Sequence, residues 1–504
     1  MMANATPINR SWVRKIIRLV LLFLLAVILA AVILALVPLG ANEVRVDLTR
    51  FLYTPAPSAE GGATAQGTSL NQSFVAEPGP GRLLVASECL TATPEINLNG
   101  TAIRLPGTNR LLSGGHSARP VVLERSNRID IVWASARSDC GDIRIKQSVD
   151  VVTHALSRVH FNTNVSDFAA ARKFYGELGF STVSGFPDTN TQAMARAIGI
   201  NTPTTYDGSK GDHAGGYLLH GELVGPGGFA GGVIDLIEFT IPRNEESPYQ
   251  QLNHLGMARA VMHTDNLQSS WESLNQLGVE FISAPVMRDS GYGFAIFRDL
   301  DGTSYELRQD HGSSASITAS KTATTRADAH GVGITRLGAV NVNVSDLERS
   351  GAWYQMLGFA RGVVPLTPPD LAEAKALGFS GPVSLQGEAV THRVDGSVLE
   401  LVQWLEPFDA SAPYDLPVNH LGIHRMAFAT SDIEADVATL VAQGVTLVSP
   451  ITPCCSGDDS WGSIVAFEDP DGTILELVEQ PMITPVITLS VRLGRLTDFL
   501  SSLF

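Results

Sequence analysis

A four-residue motif, Asn253-His254-Leu255-Gly256, returns as Asn419-His420-Leu421-Gly422, and its histidines are the residues best placed by type to do chemistry. An imidazole titrates near neutral pH, so His254 and His420 could each serve as a general base. A histidine beside a glycine turn can equally fix its loop through hydrogen bonds to backbone. Tyr249 and Tyr414 precede the same loops, as cavity-rim aromatics or plain packing residues. Strand alternation puts Asn162 and Asn164 on one face, and Asn341 and Asn343 on the matching face opposite Val340, Val342 and Val344. Lining a cavity, these amides would bind a polar ligand; otherwise they cap strand ends or face solvent. His263 and His424 stand alone on strands and read as packing residues. No P-loop, no Gly-x-Gly-x-x-Gly after a strand, no Gly-x-Ser-x-Gly and no His-Glu-x-x-His is present. Cys454 and Cys455 are adjacent and read as loop residues, whereas Cys89 and Cys140 are spaced to pair or to stay as buried thiols.

These residues sit in a duplicated frame. Asn164-Val165-Ser166-Asp167 returns as Asn343-Val344-Ser345-Asp346, and Leu178-Gly179-Phe180 as Leu357-Gly358-Phe359. Later, Asp299-Leu300-Asp301-Gly302-Thr303 returns as Asp469-Pro470-Asp471-Gly472-Thr473. The order is preserved, so a whole domain is repeated. Each copy is itself doubled. A strand ending in Asp or Asn leads into an amphipathic helix that closes at Leu-Gly, as in Phe168 to Phe180 and Leu267 to Val279, and several β-runs follow. Each copy therefore predicts two βαβββ modules.

The chain has 504 residues, 44% hydrophobic, with 51 acidic against 35 basic residues and a formal charge of −16. That balance excludes nucleic acid as an expected partner, because the surface repels polyanions. Leu19 to Val37 is an uninterrupted apolar run, long enough to cross roughly 30 Å of hydrocarbon as a helix. Arg10, Arg14, Lys15 and Arg18 precede it, which predicts a single-pass anchor with a cytoplasmic N-terminus and the bulk of the chain periplasmic or extracellular, the competing reading being a cleaved signal peptide. The expected layout is a cytoplasmic N-terminus (1–18), a transmembrane helix (19–38), a flexible spacer (39–82) and a small β-rich domain (83–152). The two repeated domains (155–310 and 332–480) follow, separated by a linker (311–331) and ended by an amphipathic tail (481–504).

The ordered set of motifs, strand–Asp–helix–Leu-Gly-Phe and then Asp-Pro-Asp-Gly-Thr before a Glu-containing strand, resembles the vicinal oxygen chelate superfamily of glyoxalases, bleomycin-resistance proteins and extradiol dioxygenases. The resemblance implies an α+β fold of two tandem domains, with each pair of modules curling its sheets around one cavity. Metal-binding members carry ligands on the first and last strands of a module. Those positions hold His160 and Arg259 in the first domain, then Ala339 and Arg425 in the second. The last-strand positions hold Asp235 and Glu306, then Glu400 and Glu476.

Arginine has no lone pair to offer a cation, so the ligand sets are damaged. On the family pattern His160, Asp235 and Glu306 could still hold a divalent metal in the first domain, while no cofactor is expected in the second. Otherwise Glu306 and Glu476 would form salt bridges to Arg259 and Arg425. Arg259, Arg425, Asn162, Asn341, Asn343, Glu400 and Glu476 would then bind a small carbonyl-bearing or anionic molecule. The expected function is a membrane-anchored small-molecule binder. Its alternatives are a metal-dependent glyoxalase- or dioxygenase-type enzyme using the first domain, and an interaction scaffold in the cell envelope.

Overall fold

A computed structural model describes residues 41–53, 69–86, 94–105, 116–132, 143–185, 192–200, 218–226, 232–310, 332–362, 366–414, 418–454 and 462–480, with isolated positions in 22–33 and 485–493. The expected membrane segment lies largely outside these residues. Among the described residues no helix is long and apolar enough to cross a membrane.

Strands β1 (Asn42–Tyr53), β2 (Ser69–Val75), β3 (Gly79–Ala86), β4 (Glu95–Leu98), β5 (Thr101–Ile103), β6 (His116–Leu123), β7 (Ser126–Val132) and β8 (Ile143–Thr153) form a small unit of two four-stranded sheets, ordered β1-β8-β3-β6 and β2-β7-β4-β5. The unit begins at Asn42, so the segment expected as a spacer supplies β1, β2 and part of β3. The reason is period-two patterning: Val44, Val46 and Leu48 alternate with polar residues and bury one face. Those side chains join the central core together with Val149 and Val151, while Leu52, Ile143 and Ile145 on the same two strands join the core of the small unit. The long strands β1 and β8 thus tie this unit to the rest of the protein.

Four modules follow. The first has β9 (Ala155–Asn164), α1 (Phe168–Glu177), β10 (Ser181–Gly185), α2 (Gln192–Ala197), β11 (Leu218–Gly225) and β12 (Val233–Ile241). The second has β13 (Gly256–Thr264), α3 (Leu267–Gln276), β14 (Glu280–Phe281), β15 (Val286–Met287), β16 (Gly293–Arg298) and β17 (Ser304–Gln309). The third has β18 (Ile334–Asn343), α4 (Leu347–Tyr354), β19 (Phe359–Ala360), α5 (Leu371–Ala376), β20 (Ser384–His392) and β21 (Val398–Glu406). The fourth has β22 (Gly422–Thr430), α6 (Ile433–Ala442), β23 (Thr452–Cys454), β24 (Gly462–Glu468) and β25 (Ile474–Glu479). Asp167, Asn266, Asp346 and Asp432 cap the four main helices by accepting backbone N–H groups one turn on.

The modules do not close within each copy. The first sheet runs β10-β11-β12-β9-β22-β25-β24-β23 and joins module one to module four; the second runs β14-β16-β17-β13-β18-β21-β20-β19 and joins modules two and three. The central seams are antiparallel, Gly422 opposite Asn164 in one and Gly256 opposite Asn343 in the other.

Each copy is instead held together between its helix-bearing sides. Asp301 accepts from the Ser166 N–H at 3.0 Å and Asp471 from that of Ser345 at 3.0 Å. Tyr175 donates to Asp299 at 2.9 Å and Tyr354 to Asp469 at 3.0 Å.

The two intermodule segments clasp each other. Asn253 donates to the carbonyl of Pro407 and Asn419 to that of Pro242, each at 3.0 Å, while the rings of Tyr249 and Tyr414 stack at 4.9 Å. Residues facing the shared core, such as Ile234, Leu236, Met426 and Phe428, alternate with a second set facing away from it, including Ile237, Phe239, Ala427 and Val478. Short helices cover these outer faces: Ala195 and Ala197 of α2 pack on the first sheet, Ala376 of α5 on the second. At the C-terminal end, Ile487 packs against Leu156 and Ala429.

Candidate functional site

The crossed pairing regroups the candidate residues. On the outer face of the first sheet, β9 supplies His160 and Asn162, β12 supplies Asp235, β22 supplies Arg425 and β25 supplies Glu476. Arg425 Nε lies 2.9 Å from Glu476 Oε2, and its Nη2 lies 3.9 Å from Asp235 Oδ2. His160 Nε2 is 3.7 Å from the same Asp235 oxygen, outside hydrogen-bond reach. Asn162 Nδ2 donates to Asp235 Oδ2. Both ring nitrogens of His160, Asn162 Oδ1, Asp235 Oδ1 and Arg425 Nη1 are buried without a hydrogen-bond partner among the described residues. Buried polar atoms are normally paired, so these atoms stand out among the described residues.

The electrostatics follow from that shortage. Burial, reinforced by Glu476 and opposed by Arg425 and the Asn162 bond, pushes the Asp235 carboxyl up to about 7. Burial and the neighbouring Arg425 charge push the His160 imidazole down to about 3. Burial also raises Glu476, against the pull of Arg425.

In the equivalent cluster on the second sheet both carboxylates are paired. Arg259 Nε donates to Glu306 Oε2 at 2.7 Å and Arg308 Nε to Glu306 Oε1 at 2.6 Å. Arg308 then makes a bidentate pair with Glu400, at 2.5 and 3.1 Å. Burial pushes the Glu306 carboxyl up, but Arg308 and Arg259 outweigh it and hold it at about 2. Two cations and two anions balance here. Asn341, beside Arg259 and Glu400 in register, has both side-chain polar atoms unpaired among the described residues.

The set His160, Asp235 and Glu306 does not assemble, because Glu306 lies on the other sheet; Glu476 takes its place. A divalent metal does not fit even the regrouped set of His160, Asp235 and Glu476. The guanidinium of Arg425 stands against both carboxylates, repels a cation and offers no lone pair. Among the described residues no group of three or more His, Cys, Asp or Glu is placed to hold a metal ion.

His254 and His420 belong to the clasp. Each donates Nδ1–H to the carbonyl of the following leucine at 2.8 Å, and the His420 ring stacks on Tyr414 at 4.1 Å. Burial, only partly offset by the Leu255 hydrogen bond, lowers His254 to about 4. Asn343 serves the same region, donating to the carbonyls of Leu252 and His254 at 2.7 and 2.6 Å and accepting from Trp404 at 3.1 Å.

Sequence reasoning missed Arg308, although it stands two residues after Glu306 and so on the same strand face. It also missed the repeat Ala195-x-Ala197-Ile198-Gly199 and Ala374-x-Ala376-Leu377-Gly378, whose segments cover the two outer faces. Cys454 is a buried strand residue rather than a loop residue, and it is disulfide-bonded to a partner outside the described residues. Cys89, Cys140 and Cys455 also lie outside them.

The family model of the Glyoxalase/Bleomycin resistance protein/Dioxygenase superfamily matches residues 157–307 and 336–477, more than half of the chain. The chain belongs to this superfamily. Among solved structures, glyoxalase I from Zea mays is 17% identical and matches over 67% of this chain and 95% of its own, with a TM-score of 0.42. A glyoxalase family protein from Bacillus cereus is 20% identical over 28% of this chain and 91% of its own, with a TM-score of 0.25. A mutant 4-hydroxymandelate synthase from Streptomyces coelicolor is 14% identical over 67% and 98%, with a TM-score of 0.21. These likenesses carry no argument about activity. No curated protein matches the chain.

Proposed function

We propose that this superfamily member binds a small organic molecule, without a metal ion, in the polar cluster on the outer face of the first sheet. One observation carries the reading: among the described residues the first cluster leaves buried donors and acceptors of His160, Asn162, Asp235 and Arg425 unpaired, whereas the second pairs Glu306 and Glu400 with its own arginines. Leu219, Ile237, Phe239, Ala466 and Val478, with Ala195 and Ala197 above them, supply an apolar surround for the ligand body. The anionic ligand expected from the sequence is disfavoured, because the single guanidinium already faces two carboxylates.

The binder is held at a membrane by the apolar run Leu19 to Val37, with the repeated domains outside the cytoplasm. Support for this comes from the length of the run and its basic N-terminal flank. Membrane sedimentation that survives alkaline wash and is lost when that run is deleted is the expected behaviour.

The binding reading is tested by elemental analysis of the full chain purified without chelator, together with a thermal-shift screen of small organic molecules. Metal far below stoichiometry is expected, along with stabilising compounds whose effect disappears in Asp235→Ala. A stoichiometric divalent ion lost in Asp235→Ala would overturn it in favour of the metalloenzyme.

A further inference from the structure

The two clusters occupy equivalent places, and their last strands can be read against each other: Ser-Tyr-Glu-Leu-Arg-Gln in β17 and Ile-Leu-Glu-Leu-Val-Glu in β25. Glu306 corresponds to Glu476 and Arg308 to Val478. Arg259 and Arg425 correspond on the first strands, as do Glu400 and Asp235 on the two remaining last strands. The second cluster is therefore two arginines with two carboxylates, and the first is one arginine with two carboxylates. What is missing is the cation that, in the second cluster, bonds Glu400 through its two terminal guanidinium nitrogens.

Its counterpart Asp235 has no cation in hydrogen-bond contact among the described residues. Arg425 Nε forms an ion pair with Glu476 at 2.9 Å, and its Nη2 stays 3.9 Å from Asp235. His160, which stands where the second cluster has Ala339, approaches to 3.7 Å without bonding. Asp235 Oδ1 and Asn162 Oδ1 are both buried acceptors without a donor among the described residues. Val478, in place of the long arginine side chain, belongs to one apolar cluster with Ile237, Phe239 and Ala466.

We propose that the first cluster takes the cationic head of a small organic molecule, an ammonium or guanidinium on an apolar body, in the place the Arg308 guanidinium fills in the second. This rests on the reading of the cluster as a small-molecule site. The head donates to Asp235 Oδ1 and Asn162 Oδ1, and the body lies along Val478, Ile237 and Phe239. Charge-assisted hydrogen bonds of this type are the strong ones in buried surroundings.

The test is calorimetric titration of the full chain at about pH 8, above the value of about 7 to which burial pushes the Asp235 carboxyl, with three probes of one shape: benzylammonium, benzyl alcohol and benzoate. Benzylammonium is expected to bind at least about tenfold more tightly than benzyl alcohol, the worth of one charge-assisted hydrogen bond, with benzoate weakest. Asp235→Asn, nearly isosteric, is expected to erase the preference, and Val478→Arg to abolish benzylammonium binding by supplying the missing cation from the chain. Should Val478→Arg fail to fold, Asp235→Asn decides alone. Equal or tighter binding of benzyl alcohol or benzoate, or a preference that survives Asp235→Asn, overturns the cation assignment and leaves the small-molecule reading standing. Binding of none of the three overturns both.

Discussion

Glu306→Gln isolates the energetics of the closed cluster. The Glu306 side chain is only 2% exposed and lies between Arg259 and Arg308. The substitution keeps the shape, removes the charge and leaves Arg259 without an anion, while Arg308 retains Glu400. The folded carboxyl sits at about 2 against an ordinary 4.5, a depression of some two and a half units. At about 1.4 kcal/mol per unit this is on the order of 3 kcal/mol, in line with the cost of breaking a buried ion pair. A carboxyl depressed on folding stabilises fully above its unfolded value and loses that contribution as pH falls through the folded value. The difference between wild type and Glu306→Gln should therefore be about 3 kcal/mol at pH 7 and shrink to less than half of that at about pH 3. Urea unfolding of the full chain, followed by tryptophan fluorescence at both pH values, reads it directly. A loss below about 1 kcal/mol at pH 7, or one that does not change with pH, would refute the saturated four-charge network.

Two further outcomes follow from the same geometry. Asp235 is raised on folding to about 7, so its ionisation costs stability as pH rises from its unfolded value through the folded one. Asp235→Asn, which mimics the protonated form, should raise the unfolding midpoint above about pH 7 and leave it unchanged below about pH 4; destabilisation at high pH would count against the burial argument. A protease site introduced into the linker 311–331 should, once cut, leave the two halves co-eluting and unfolding together, because both sheets are built across the copies. Halves that separate without denaturant would mean that each copy closes on itself.

Much of this protein is determined locally and was legible as such. The duplication, the two modules per copy, the helix-capping Asp167 and Asp346 and the Leu-Gly-Phe helix ends all depend on neighbours within a few residues. Damage to the metal-ligand pattern was also visible, because Arg259 and Arg425 cannot ligate wherever they point. The salt bridges Arg259–Glu306 and Arg425–Glu476 were anticipated because each lies within one module, on adjacent strands β13–β17 and β22–β25.

The partnership of modules was decided only by tertiary structure. Which edge β9 pairs with depends on the clasp of two distant segments, on side chains buried between sheets and on register over most of the chain, and no local pattern encodes it. That pairing puts Glu476 rather than Glu306 beside His160 and Asp235. It also puts Arg308 rather than a first-sheet residue against Glu400. Each ionisable residue's chemistry is set by the charges within a few ångströms of it, so the open and the closed site become distinguishable only when the sheets meet.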